Sequence, residues 1–207
     1  MTTDSSTVTL APAAEPKGGT LSGTVSVKAV NGVAIFANLS LNLSGSYTLS
    51  ATDGMLTPKV TKPVTISAAQ PAALIFVRQP TSTPAGVAFS PTIEVEIVDA
   101  FGNVVSSNMS TVSLSIASGP PGGKLAGSVS IAASKGVAAF GKLSLNLVGT
   151  YTLLATDGTF SSATSAAITV IGVETAQLVF GPTPTSGSVA TDIKPAITVA
   201  VENPPGQ

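Results

Sequence analysis

The sequence predicts an all-β chain of tandem antiparallel β-sandwiches. Three observations predict it: an internal repeat about one hundred residues long, period-2 alternation of apolar residues within each copy, and turn residues every 8–12 positions or so.

The repeat appears at a shift of 104 residues, the spacing of Tyr47 and Tyr151. That shift places Gly45-Ser46-Tyr47-Thr48-Leu49-Ser50-Ala51-Thr52-Asp53-Gly54 on Gly149-Thr150-Tyr151-Thr152-Leu153-Leu154-Ala155-Thr156-Asp157-Gly158. It also places Gly32-Val33-Ala34 on Gly136-Val137-Ala138, Leu39-Ser40-Leu41-Asn42-Leu43 on Leu143-Ser144-Leu145-Asn146-Leu147, and Leu74-Ile75-Phe76 on Leu178-Val179-Phe180, with no gap. Such a period is too long for a solenoid unit and matches one small sandwich domain. Surface loops normally absorb insertions freely, so the preserved length points to a recent duplication.

Alternation supplies the strands. Ile93, Val95 and Ile97 alternate with Glu94, Glu96 and Val98; Val112, Leu114 and Ile116 with Ser113 and Ser115; Tyr151, Leu153 and Ala155 with Thr152, Leu154 and Thr156. These patterns predict half-buried strands. Between them stand Asp99-Ala100-Phe101-Gly102-Asn103, Gly119-Pro120-Pro121-Gly122-Gly123, Ser134-Lys135-Gly136 and Asp157-Gly158, all turn chemistry. Seven to nine strands are expected between Leu74 and Val170, and no helical stripe survives.

Composition removes most chemistry. The 207 residues include no Cys, His or Trp, and 9% are charged. Without His or Cys there is no Ser-His-Asp or Cys-His nucleophile, no thiolate redox centre and no usual zinc, haem or iron–sulfur ligand set. The chain is expected not to be an enzyme. Glu94 and Glu96 share one strand face, but the later copy of that strand carries Thr198 and Ala200, so a solvated face is expected rather than a sugar-cleaving carboxylate pair. A formal charge of −1 with no basic run predicts no nucleic-acid partner. No apolar run approaches the roughly 20 residues that cross a bilayer, so membrane insertion is not expected. Met1 to Ser6 have neither a basic nor an apolar export segment.

The order L-[IV]-F, then [IV]-x-V-x-[IV]-x-D-x-x-G-N, T-V-[ST]-L, G-V-A-x-F and G-x-Y-T-L-x-A-T-D-G resembles the bacterial immunoglobulin-like repeats of large surface proteins and invasin- or intimin-type adhesins. The resemblance covers the whole chain. It implies tandem immunoglobulin-like (Ig-like) sandwiches, an extracellular or cell-surface location in a bacterium or archaeon, and a role as stalk or fibre. Tyr47 and Tyr151 are similar to the structural tyrosine of the Ig corner, whose hydroxyl ties back to nearby backbone. Absence of cysteine fits an exported protein that relies on core packing.

On this scheme residues 72–171 form one complete domain. Residues 1–71 lack its first two strands, A and B, and residues 172–207 are such an A and B pair. Two readings follow: the chain is a piece of a longer array, or the A and B strands of one copy complete the open domain of the next. Leu178, Phe180, Ile197, Val199 and Val201 are then the assembly residues. The expected partners are copies of the chain or neighbouring repeats, with a glycan or surface receptor as the alternative. Phe89, Phe101 and Phe160 are its candidate platforms, since the other six aromatics recur at repeat positions. No cofactor is expected beyond calcium, for which Asp53, Asp99, Asn103 and Asp157 are candidate oxygen ligands, although Asp and Asn beside Gly serve equally as turn formers.

Overall fold

The computed structural model describes residues 4–173, 176–183, 185–190 and 196–202. Every regular element among them is a strand. Seven lie before residue 67: β1 (Thr7–Ala14), β2 (Leu21–Ser22), β3 (Ser26–Lys28), β4 (Ser40–Leu41), β5 (Gly45–Thr52), β6 (Lys59–Val60) and β7 (Val64–Ile66). Eleven follow to residue 171: β8 (Pro71–Arg78), β9 (Thr83–Pro84), β10 (Ile93–Asp99), β11 (Thr111–Ser118), β12 (Leu125–Ala126), β13 (Ser130–Ala132), β14 (Val137–Phe140), β15 (Ser144–Leu145), β16 (Gly149–Thr156), β17 (Ala163–Thr164) and β18 (Ile168–Ile171). The count exceeds the expected seven to nine because β9, β12, β15 and β17 are two-residue pairings too short to leave an alternation signal. β19 (Gln177–Phe180) and β20 (Val199–Glu202) complete the set.

The best-covered core lies between residues 71 and 171. One sheet runs β14-β10-β8 and the other β13-β11-β16-β18-β9, with β17 against β16. Ile93, Val95 and Ile97 of β10 are fully buried, as are Val112 of β11, Tyr151, Leu153 and Ala155 of β16, and Ile168 of β18. All of them belong to one cluster, so side chains from both sheets meet in a shared interior, consistent with a β-sandwich. Each large apolar side chain buried this way contributes roughly 1.5–3 kcal/mol. The alternation is realised as predicted in β16, where Thr152, Leu154 and Thr156 are only partly covered.

Residues 4–66 repeat this pairing as far as their strands allow. Leu10↔Ala51 repeats Leu114↔Ala155, Gly45↔Ile66 repeats Gly149↔Val170, and Leu21↔Leu41 repeats Leu125↔Leu145. Even the irregularity between Pro12 and Ala14 falls where β11 has one between Ile116 and Ser118. One difference stands out. Val137–Phe140 is a strand because it pairs with β10, whereas Val33–Phe36, of nearly the same sequence, has no such partner and is not a strand.

A tyrosine lock recurs in both copies. The Tyr47 hydroxyl donates to the Leu43 carbonyl at 3.0 Å and that of Tyr151 to the Leu147 carbonyl at 2.9 Å, and both rings are fully buried. Glycine makes room for them. A Cβ on Gly123 would lie 2.8 Å from Cε1 and 2.9 Å from Oη of Tyr151, and one on Gly19 would lie 2.7 Å from Oη of Tyr47. Thermal unfolding followed by circular dichroism tests the lock. Tyr151→Phe should cost about 1 kcal/mol, or about 4–8 °C in a domain of this size. Gly123→Ala should cost more, and the double variant less than the sum, because removing Oη relieves part of the clash.

Candidate functional site

A buried carboxylate lies where the two larger units meet. Asp99 ends β10 on the same phase as Ile93, Val95 and Ile97, so its side chain is carried inward and is only 3% exposed. An inward carboxylate must be fully hydrogen-bonded to stay charged. The Asp-x-x-Gly-Asn turn supplies the donors. Asp99 Oδ1 accepts from the Phe101 and Asn103 backbone N–H groups, both at 2.9 Å, and Asn103 Nδ2 donates to Oδ1 and Oδ2 at 3.2 and 3.0 Å. Gly102, at φ +84, allows the reversal.

This turn reaches across to the preceding unit. Ala69 N–H, in the connection between β7 and β8, donates to Asp99 Oδ2 at 2.9 Å. Asn103 Nδ2 donates to the Asn42 carbonyl at 3.0 Å, and Asn103 Oδ1 accepts from Ser44 N–H at 2.8 Å. Three segments distant in sequence are thereby clasped by two side chains. Burial alone would raise the Asp99 pKa, but the hydrogen bonds from Asn103, Ala69 and Phe101 outweigh it and hold the carboxyl at about 2.

The four candidate calcium ligands all accept hydrogen bonds. Asp53 Oδ1 accepts from the Met55 and Leu56 N–H groups at 2.9 and 2.7 Å, which lowers its pKa, and Asp157 Oδ1 accepts from Thr159 and Phe160 at 2.8 Å each. Both act as turn acceptors. Both Asp99 oxygens face N–H donors, whose positive ends stand where a cation would have to approach. Among the described residues no group of three or more acidic side chains is placed to hold a metal. On the β8–β10 face, Glu94 pairs with Arg78 at 3.1 Å, and burial followed by the Glu94 charge raises the pKa of Glu96.

Of the three aromatic platform candidates, two are corrected. Phe89 is buried and Phe160 is partly buried against the core, which leaves Phe101 exposed at the joint.

The assembly candidates lie on an uncovered face. β19 and β20 pair with Leu178 opposite Val201 and Phe180 opposite Val199, the register in which Leu74 faces Ile97 and Phe76 faces Val95. Leu74, Val95 and Ile97 are buried, yet Leu178, Val199 and Val201 are 70%, 48% and 72% exposed, and Phe180 and Ile197 are exposed too. A matching deficit appears in residues 4–66. Val8, Phe36, Leu39, Leu41 and Leu49 are only partly covered where Val112, Phe140, Leu143, Leu145 and Leu153 are buried.

No family model and no curated protein matches the chain. Among solved structures it is similar to a β-glycosidase from Bacteroides vulgatus, at 14% identity and a TM-score of 0.41 over 80% of this chain and 21% of that one. It is also similar to a β-glucuronidase from glycoside hydrolase family 2, at 18% identity and a TM-score of 0.43 over 83% and 18%. A third is the Parabacteroides merdae β-glucuronidase, at 13% identity and a TM-score of 0.38 over 80% and 21%. The chain spans about a fifth of the length of these enzymes. Likeness this distant transfers no activity, substrate or partner.

The clasp predicts a specific acid sensitivity. Asp99 titrates at about 2 when folded against about 3.9 when unfolded. Its contribution, roughly 2–3 kcal/mol, is therefore complete above about pH 5 and is lost as the pH falls through the folded value. Asp99→Asn should lower stability near neutrality and flatten the acid limb of a plot of unfolding free energy against pH between about 5 and 2. An unchanged slope would show that the carboxylate is not held this way.

Proposed function

We propose that this chain is a run of Ig-like β-sandwich repeats acting as a stalk or fibre segment of a bacterial or archaeal surface protein, with residues 72–171 as its complete repeat. The carrying observation is the recurrence of the same strand registers in two consecutive units that are hydrogen-bonded through Asp99 and Asn103. Repeats that differ in binding or catalysis need differ only in their loops, whereas a spacer needs a reproducible rise and a joint that resists bending. Only four residues, Ser67 to Gln70, separate β7 from β8, and one of them is tied to the clasp. A catalytic role finds no support in a residue inventory without His or Cys.

Residual dipolar couplings in solution test the stiffness. Residues 4–66 and 71–171 should fit one alignment tensor, and Asn103→Ala should split it into two with little change in either fold. Two tensors in the unaltered chain would remove the spacer argument. In the same samples chelation by EDTA should leave the melting temperature unchanged, because the joint is closed by N–H donors; a fall on chelation would return calcium to the joint.

A further inference from the structure

We infer that the β19–β20 hairpin of one copy docks on the open face of residues 4–66 of a second copy, rebuilding there the sheet that β8 and β10 form beside β11 and β16. The inference rests on the repeat reading and deepens it, because residues 71–171 show every contact the docked form requires.

Those contacts translate by the repeat shift. In the complete unit β10 pairs with β14 through Ile93↔Phe140 and Val95↔Ala138. The same register puts Ile197 opposite Phe36 and Val199 opposite Ala34. It also gives Val33 and Ile35 the backbone partner that Val137 and Ala139 have in Glu96 and Glu94. The Ile97 N–H donates to the Gly136 carbonyl, and the Leu74 N–H to that of Ser161. Their counterparts are Val201 with Gly32 and Leu178 with Thr57. Gly32 and Thr57 both line a cavity of about 420 Å³ on the open unit, together with Val8, Ala29 and Leu56. Val201 and Leu178, cross-strand neighbours in the hairpin, are the side chains that register brings to it. The hairpin needs no rearrangement, since its own pairing already matches that of β8 and β10.

The donor cannot be the same molecule. Gly45 and Ser44 lie at the joint, so β5 runs away from it, and the Thr57 end of the groove is the far end of that unit. By the same topology β16 begins and β18 ends at the far side of the second unit, where Gly149 pairs with Val170. From Ile171 the hairpin would have to pass two strand lengths of about 24 Å each. The connection to Gln177 reaches about 21 Å when fully extended. A second copy meets no such limit. Each copy then offers one donor and one acceptor on opposite ends, a heterologous contact that propagates as a head-to-tail filament.

Sedimentation and electron microscopy of the purified chain test this with two variants, Leu178→Asp in the donor and Ala34→Arg in the acceptor. The unaltered chain, 20.3 kDa as a monomer, should form species several copies long by about 100 μM. Each variant alone should stay monomeric, and an equimolar mixture should stop at a dimer, because one functional donor and one functional acceptor remain. That mixture also shows that each substitution left its other end competent. A monomeric unaltered chain, or variants that polymerise as well as it does, overturns the docking. Amide exchange on the same samples separates this from failure of the repeat reading: monomers with Tyr151 and Leu153 protected lose only the docking, whereas monomers without that protection lose both.

Discussion

The structure depends on one packing constraint: a sheet with an apolar inner face needs a second sheet against it. Where β10 lays Ile93, Val95 and Ile97 over that face, Val112, Leu153 and Ile168 vanish from solvent. Where no such strand is present, side chains of the same kind at the same positions stay half covered. The effect extends to secondary structure, since Val33–Phe36 and Val137–Phe140 differ little in residue type but only the latter has β10 beside it. Strand formation here is conferred by a neighbour more than by local preference.

Much of the architecture was legible because burial on one face imposes period two, and the duplication supplied an internal control. Inward Tyr151, Leu153 and Ala155 keep their counterparts Tyr47, Leu49 and Ala51, while outward Leu154 faces Ser50 across the shift. The two-residue strands β9, β12, β15 and β17 escaped because a pairing that short carries no period. Phe89 and Phe160 carry no such signal for a related reason: they lie in loops, where alternation says nothing about which way a ring turns.

The joint leaves a weaker trace in the sequence. Asp99 continues the inward phase of Ile93, Val95 and Ile97, a signal that its carboxylate is buried, yet a turn-forming Asp beside Gly102 and Asn103 accounts for the residues equally well. Its partner Ala69 lies 30 positions away, and the partners of Asn103, Ser44 and Asn42, lie 59 and 61 positions away. Contacts of that range follow from how two units abut, and a single sequence carries no pattern for them. The outcome is a polar joint whose geometry is fixed by hydrogen bonds, beside a cluster of buried apolar side chains.

The position of the two chain exits in the complete unit has a mechanical meaning. The backbone enters at Pro71 beside the clasp and leaves at Ile171 on the opposite side, where Val170 and Ile171 run parallel to Thr83 and Pro84. Tension applied between these two exits therefore loads β18 lengthwise against β9 and β16 instead of peeling it away. Ladder bonds loaded in this direction share the force instead of breaking one at a time.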